Sequence, residues 1–346
     1  MTVLADVVLL GLIAILGEVV CRVFPPDLPC KVMQESRMNL HRLSDNMYLG
    51  YELRPGVAGH NAAGFRGPEV KLHKPPGVWR IAFVGDSVTY GLGVSDAEAF
   101  PRIVETRLRA AGAKPVEVLN FAAPAYNSFQ EYTLLATKVL DYEPDLVVWV
   151  FSSGNTETSP VVLNVDGRMC LFRNQLEGFS PLNNRVHWTL FRYSRFYQFL
   201  YKRAVLAFAA RGGRFDDVYR QPDVAWRTVL RAESLCRQRQ VDFLLVLSPL
   251  LQPIYLPMGQ GDPNCRSGSE MAMDAQEVVT VRTAMDRIRQ LAGQAPWQVV
   301  DLGPLYDQYG AQMKLHSIDH EHLGRFGHQR VADLLADEIE RRGKRG

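Results

Sequence analysis

The stretch IAFVGDSVTYGLG, residues 81–93, holds the first group that could do covalent chemistry. A run of apolar residues stops at Gly85, and Asp86 and Ser87 follow at once. A serine just past the end of a buried strand becomes a nucleophile when a neighbouring base takes its proton. The same serine can equally cap the next helix, so the triplet alone leaves both roles open. A second cluster stands near the C-terminus, in SIDHEHLGRFGHQRVADLL. Asp319 and His322 are three residues apart there. A carboxylate so placed can hold one imidazole nitrogen in a turn and leave the other facing a nucleophile. His316, His320 and His328 are close in sequence, but D-H-E-H has no spacing that helix or strand geometry turns into a ligand set. No metal and no cofactor are expected. His328, inside the last helix, reads as a packing or helix-orienting residue.

Two more loops carry candidate donors. NFAAPAYNS, residues 120–128, offers backbone N–H groups around Ala125, and FSSGNTETS, residues 151–159, offers the Asn155 side-chain amide. A developing oxyanion needs such donors, and losing one costs about 10² to 10³ in rate. Each loop taken singly also reads as an ordinary turn.

These residues need elements that bring them to one place. From Trp79 onward, short apolar runs alternate with helix-length amphipathic stretches. The runs are RIAFVG (80–85), VEVLNFA (116–122), DLVVWVFS (145–152), DFLLVLS (242–248) and WQVVDL (297–302). Near-continuous apolar runs are the mark of strands covered on both faces in a parallel sheet. Helices are expected over 97–111, 128–140, 185–210, 223–239 and 273–292, and in the final stretch, where Val331, Leu334, Leu335 and Ile339 share one face. The pattern predicts an α/β fold: a doubly wound, three-layer α/β/α sandwich with a parallel sheet of about five strands. Ligands then bind beyond the carboxyl ends of the strands, where all four loops would lie.

Composition narrows the function classes. With 47% hydrophobic and 22% charged residues in 346, the chain has material for a substantial core. A net charge of +2, with basic residues dispersed, gives no reason to expect nucleic acid as a partner. The five cysteines (21, 30, 170, 236 and 265) form no C-x-x-C pair and read mostly as isolated buried thiols. At the N-terminus, Val3 to Phe24 is long enough for a bilayer-spanning helix, although Asp6, Glu18 and Arg22 lie in it or at its ends. It lacks the basic region and cleavage site of a secretory signal. The expected organisation is a hydrophobic helix and membrane anchor over 1–24, a linker with a small docked extension over 25–78, and a catalytic domain over 79–346. The positive charges after the helix (Arg22, Lys31 and Arg37) argue by themselves against export of the downstream residues.

GDSVTYG, NFAAPAYNS, SSGNTE and DHEHLGRFGH, in this order, resemble the four sequence blocks of the SGNH, or GDSL-type, hydrolase family. The resemblance covers roughly residues 79 to 342. The preceding LGYELRPG and NAAGFRGPE are similar to a segment of membrane-anchored bacterial members. The resemblance implies Ser87 as nucleophile, His322 as base and Asp319 as its orienter, with the Ser87 N–H, the Ala125 N–H and the Asn155 side chain as oxyanion donors. It implies a serine esterase or deacetylase acting on small acyl esters, such as acylated envelope carbohydrate, at a bacterial membrane with the catalytic domain outside the cytoplasm. Acyl transfer to a polysaccharide by the same site, and a non-catalytic polysaccharide-binding or assembly role, are the alternatives. Two positions depart from the family pattern. Ala125 stands where it has glycine, which alanine can replace if its φ is negative. Thr156 stands where it has aspartate, and its hydroxyl would have to brace the Asn155 loop.

Overall fold

A computed structural model of the chain describes residues 2–25, 31–32, 40–46, 48–112, 114–157, 161–165, 168–172, 185–211, 220–251, 275–315 and 322–343. The chain divides into two compact units, each discontinuous in sequence: residues 1–51 with 159–219, and residues 52–158 with 220–346. Residues 52–78 group with the sheet-bearing unit, and 159–219 leave it to group with the N-terminal residues. Two short strands, β2 (His41–Leu43) and β3 (Tyr51–Leu53), pair with each other ahead of the main sheet.

The sheet-bearing unit has the predicted α/β architecture. Its strands are β4 (Trp79–Val84), β5 (Val116–Asn120), β6 (Leu146–Ser152), β9 (Asp242–Ser248) and β10 (Val299–Asp301), in the order β10-β9-β6-β4-β5. All neighbouring pairs are parallel. Every residue of β6 is buried, as its unbroken LVVWVFS run requires. Alternate side chains serve the two faces. Ile81, Phe83, Val148, Val150, Leu244 and Val246 meet helix α3 (Phe100–Ala110) through Phe100, Val104 and Leu108, and helix α10 (Arg325–Gly343) through Val331, Leu335 and Ile339. Trp149, on the other face, is bonded to Glu131 of helix α4 (Ser128–Thr137), and α4 packs with helix α7 (Pro222–Gln238), itself against helix α8 (Ala275–Ala292). The short helix α9 (Gly303–Tyr309) follows β10 directly. With five parallel strands, every carboxyl end opens on one edge.

In the other unit, strands β1 (Lys31–Val32), β8 (Arg168–Phe172) and β7 (Val161–Val165) form an antiparallel sheet with β8 central. Helix α1 (Thr2–Val23) forms over the expected apolar stretch and packs on helix α6 (Arg195–Ala210), which follows helix α5 (Arg185–Tyr193). The approach is close: a Cβ on Gly17 would lie 2.6 Å from the Phe196 ring. Glu18 caps α6, accepting from the Ser194 hydroxyl at 2.8 Å and the Phe196 N–H at 3.1 Å. Among the described residues no helix is long and apolar enough to cross a membrane. The spanning anchor expected over 1–24 is not shown: Asp6, Glu18 and Arg22 interrupt the apolar run, and Glu18 is held in helix packing. Cys21 and Cys236 are free and buried. Cys30, Cys265 and the Cys170 side chain lie outside the described residues.

Candidate functional site

Ser87 owes its position to a sharp corner. The chain leaves β4 at Gly85 and enters the one-turn helix α2 (Ser87–Tyr90) with only Asp86 between. A Cβ on Gly85 would sit 2.3 Å from Thr89 Oγ1 and 3.1 Å from the Val150 carbonyl oxygen, so only glycine lets α2 begin this close to β6. Asp86 caps the turn, its Oδ1 accepting the Val88 N–H at 2.9 Å. The other carboxylate oxygen accepts a short hydrogen bond from the Ser152 hydroxyl at the end of β6. Ser87 itself is half-buried, between a capping carboxylate and a buried Thr89.

A cavity of about 130 Å³ opens beside Ser87, lined also by Asp86, Ser152, Gly154, Arg220, Tyr306 and His322. Ser152 and Ser248 face each other as register partners at the ends of β6 and β9, and both line it. Ser248 shares a 2.8 Å hydrogen bond with the hydroxyl of Tyr306, on α9. His322, just ahead of α10, is buried. Burial pushes the Asp86 carboxyl above its ordinary range, while the Ser152 hydroxyl, the Val88 N–H and the charge of His322 pull it back. The structure thus brings Ser87 and His322 to one cavity. Asp319, the expected orienter, and His316 and His320 lie outside the described residues. His328 is buried in α10, its Nδ1 accepting the Phe100 N–H at 3.3 Å and its ring stacked on Phe100. Among the described residues no group of three His, Cys, Asp or Glu side chains could hold a metal ion.

The two other oxyanion candidates do not line the cavity. Ala125 is exposed and has φ of +65°, so the negative φ on which its equivalence to glycine was argued is not found. The left-handed region costs alanine about 1–2 kcal/mol, a strain held here by the turn in which the Tyr126 N–H bonds Ala123 O at 3.2 Å. Asn155 is wholly buried in the 3-10 turn Ser153–Thr156. Its Oδ1 accepts the Ser152 N–H at 2.6 Å, and its Nδ2 donates to Glu131 Oε1 at 2.8 Å and, at 3.5 Å, to the Tyr126 carbonyl. The Thr156 hydroxyl does brace this loop. It donates to Ser153 O at 2.9 Å and accepts from Arg220 Nη1 at 3.1 Å, and Arg220 pairs with Glu157 at 2.8 Å.

Sequence reasoning missed Glu131, Arg220 and the pair Arg66 and His60. Arg66 donates to the carbonyls of Tyr90, Gly91 and Val94, and His60 bonds the Tyr90 hydroxyl at 2.8 Å, clamping the far end of α2. The G-H-N and F-R-G steps between glycine-rich turns are the only local signal for that clamp.

No protein-family model matches the chain, and no curated protein matches it. Solved structures do. An acetyl xylan esterase, AlAXEase, is 15% identical with a TM-score of 0.42, over 75% of this chain and 99% of its own. A lipase/acylhydrolase from Enterococcus faecalis is 14% identical with a TM-score of 0.41, over 76% and 96%. A GDSL-like lipase from Bacteroides thetaiotaomicron is 14% identical with a TM-score of 0.38, over 76% and 88%. At this level of likeness the matches assign neither a role to any residue nor a substrate to this chain.

Proposed function

We propose that the chain is a serine esterase of the SGNH, or GDSL, type that removes short acyl groups, acetyl foremost, from hydroxyl-bearing carriers such as carbohydrate. The observation that carries this reading is that Ser87 and His322 line one small cavity at the carboxyl edge of the sheet. Ser87 Oγ attacks the ester carbonyl while His322 takes its proton, and the tetrahedral oxyanion collapses to an acyl-serine as His322 protonates the departing alcohol. Water, deprotonated by His322, then releases the acid and restores Ser87. Asp319 orients His322 in this scheme. Of the three expected oxyanion donors only Ser87 lines the cavity, so its backbone N–H serves the oxyanion in this scheme.

The cavity, about 130 Å³, is smaller than the roughly 300–1,000 Å³ of sites for drug-sized ligands, which supports a short acyl chain. A chain-length series of 4-nitrophenyl esters tests this. Acetate should be cleaved fastest, and octanoate at background rate. Equal rates would remove the acyl-size reading. Acyl transfer would use the same acyl-serine with a sugar hydroxyl in place of water, so product analysis with an oligosaccharide acceptor separates the two.

The same proposal places the protein at a lipid surface, at the bacterial cell membrane with its catalytic unit outside the cytoplasm. Val7 to Leu10, Leu12, Ile13, Ile15, Leu16, Val19 and Val20 of α1 are all exposed. Residues 185–211 carry six basic side chains and no acidic one, beside exposed Val186, Leu190, Tyr193, Leu200, Leu206 and Phe208. Apolar side chains set beside a run rich in basic residues fit an anionic bilayer surface. Flotation with anionic vesicles but not with zwitterionic ones is the expected result. No flotation with either would overturn this placement, and reporter fusions would decide the side.

A further inference from the structure

Glu131 lies within α4 at 0% exposure, and no step of the proposed acyl transfer uses it. A carboxylate removed from water is costly unless hydrogen bonds replace the lost hydration. Here both oxygens are engaged: the Trp149 indole N–H donates to Oε2 at 2.6 Å, and Asn155 Nδ2 donates to Oε1 at 2.8 Å. From Asn155 the bonds run on without a gap. Its Oδ1 takes the Ser152 N–H at 2.6 Å, the Ser152 hydroxyl is bonded to Asp86, and Asp86 takes the Val88 N–H at 2.9 Å in the turn that carries Ser87. Helix α4 is thereby tied through the end of β6 to the corner after β4. A neutral side chain of the same length could not replace Glu131, because glutamine presents one acceptor to two donors.

We propose that Glu131 is a positioning residue of the esterase site: by fixing the Asn155 amide it holds Ser152 and Asp86, and through them sets the attacking geometry of Ser87. This rests on the reading of Ser87 as nucleophile. Burial, and then the charge of Asp86, push Glu131 well above the ordinary carboxylate range, while the Asn155 and Trp149 N–H groups pull it back. The position also answers the absence of aspartate at Thr156. The Thr156 hydroxyl ties the loop to Arg220, and Glu131 fixes the asparagine from the opposite side.

The test is a double-mutant cycle on the full chain with Glu131→Gln, Asn155→Ala and both together. It reads kcat and KM for 4-nitrophenyl acetate and the rate at which a fluorophosphonate labels Ser87. Glu131→Gln should lower kcat and labelling by about 10²-fold, the cost of displacing a reacting group by roughly 1 Å, with KM held within about 2-fold. Because Glu131 acts through Asn155, the double variant should be no slower than the slower single one. Labelling of Glu131→Gln at the parent rate would overturn the proposal, and so would a double variant slowed by the product of the two single effects. Should Glu131→Gln not fold, Glu131→Asp, too short to reach both donors, must show the same loss of kcat, and parent-like kcat there would overturn the proposal equally. Absence of Ser87 labelling in the parent protein would instead bring down the nucleophile reading, and this inference with it.

Discussion

Two corners at the same edge of the sheet end in opposite ways. After β4, the chain turns at Gly85 and presents Ser87 to a cavity. After β6, it turns at Ser153 and sends Asn155 into the protein, onto Glu131. Both corners follow fully buried strand residues, and both begin with a side chain that caps the turn: Asp86 on the Val88 N–H, and Ser152 on the Gly154 N–H. The difference lies beneath them. Under the first corner Thr89 and β6 leave no room for a side chain at Gly85, so the chain is pushed up against β6 and Ser87 lines the cavity. Under the second, a buried carboxylate offers an acceptor that a primary amide fills. Reaching the edge of a sheet therefore does not by itself bring a polar side chain to the cavity. What matters is whether an acceptor inside the protein claims it first.

The largest effect that could break this contrast is at Ser87. Ser87→Ala should lower ester cleavage by about 10⁴-fold or more while leaving the thermal unfolding midpoint in place. A variant that kept the parent's turnover would make the first corner as structural as the second.

A change of pH sharpens the contrast by separating loss of activity from loss of fold. His328 lies outside both corners, and burial lowers its pKa from the ordinary 6.5 to about 3. Between these values the unfolded chain takes up a proton that the folded chain refuses. Its stabilising contribution is complete above pH 6.5 and is lost progressively as pH falls toward 3. Asp86 and Glu131, both held above their ordinary range, act in the opposite sense: acid relieves the cost of keeping them charged. Relative to the parent, the denaturant midpoint of His328→Gln should drop less, or rise more, as the pH is lowered across this window. An unchanged slope in that variant would contradict the assignment.

Gly85→Ala tests the steric cause of the first corner. The added methyl meets Thr89 and the Val150 carbonyl, so a loss of about 2 kcal/mol in urea unfolding is expected, together with lower activity. Parent-like stability would show that the corner has slack. The smallest effect is at Ala125, where Ala125→Gly should raise stability by about 1 kcal/mol by releasing the strain at φ +65°. A loss of stability there would mean that the turn needs the methyl group more than it resents it.

Much of this arrangement was legible in the sequence. The five strands came from apolar runs such as LVVWVFS, and the corner at Gly85 from the abrupt end of one of them. Ser87 and His322 were singled out by residue type, and the structure places both on one cavity. What could not be read was direction. Asn155 is named by its loop, but its amide is aimed by Glu131, an acid in SFQEYTLLAT that looks like any solvent-facing helix residue. The same holds for the other unit. Lys31 and Val32 pair with Leu171 and Cys170, a long-range contact without local periodicity, so 159–219 read as part of the hydrolase domain. Glu18 stood out as a charge in an apolar helix, but its role as the cap of α6 belongs to a partner far along the chain.

The central claim, that the first corner carries an activated serine, is tested most directly by intact-mass analysis after fluorophosphonate treatment, followed by peptide mapping. The account predicts one adduct per chain, located on Ser87 and lost in Ser87→Ala. Folded parent protein that acquires no adduct, or acquires it on another residue, would contradict it.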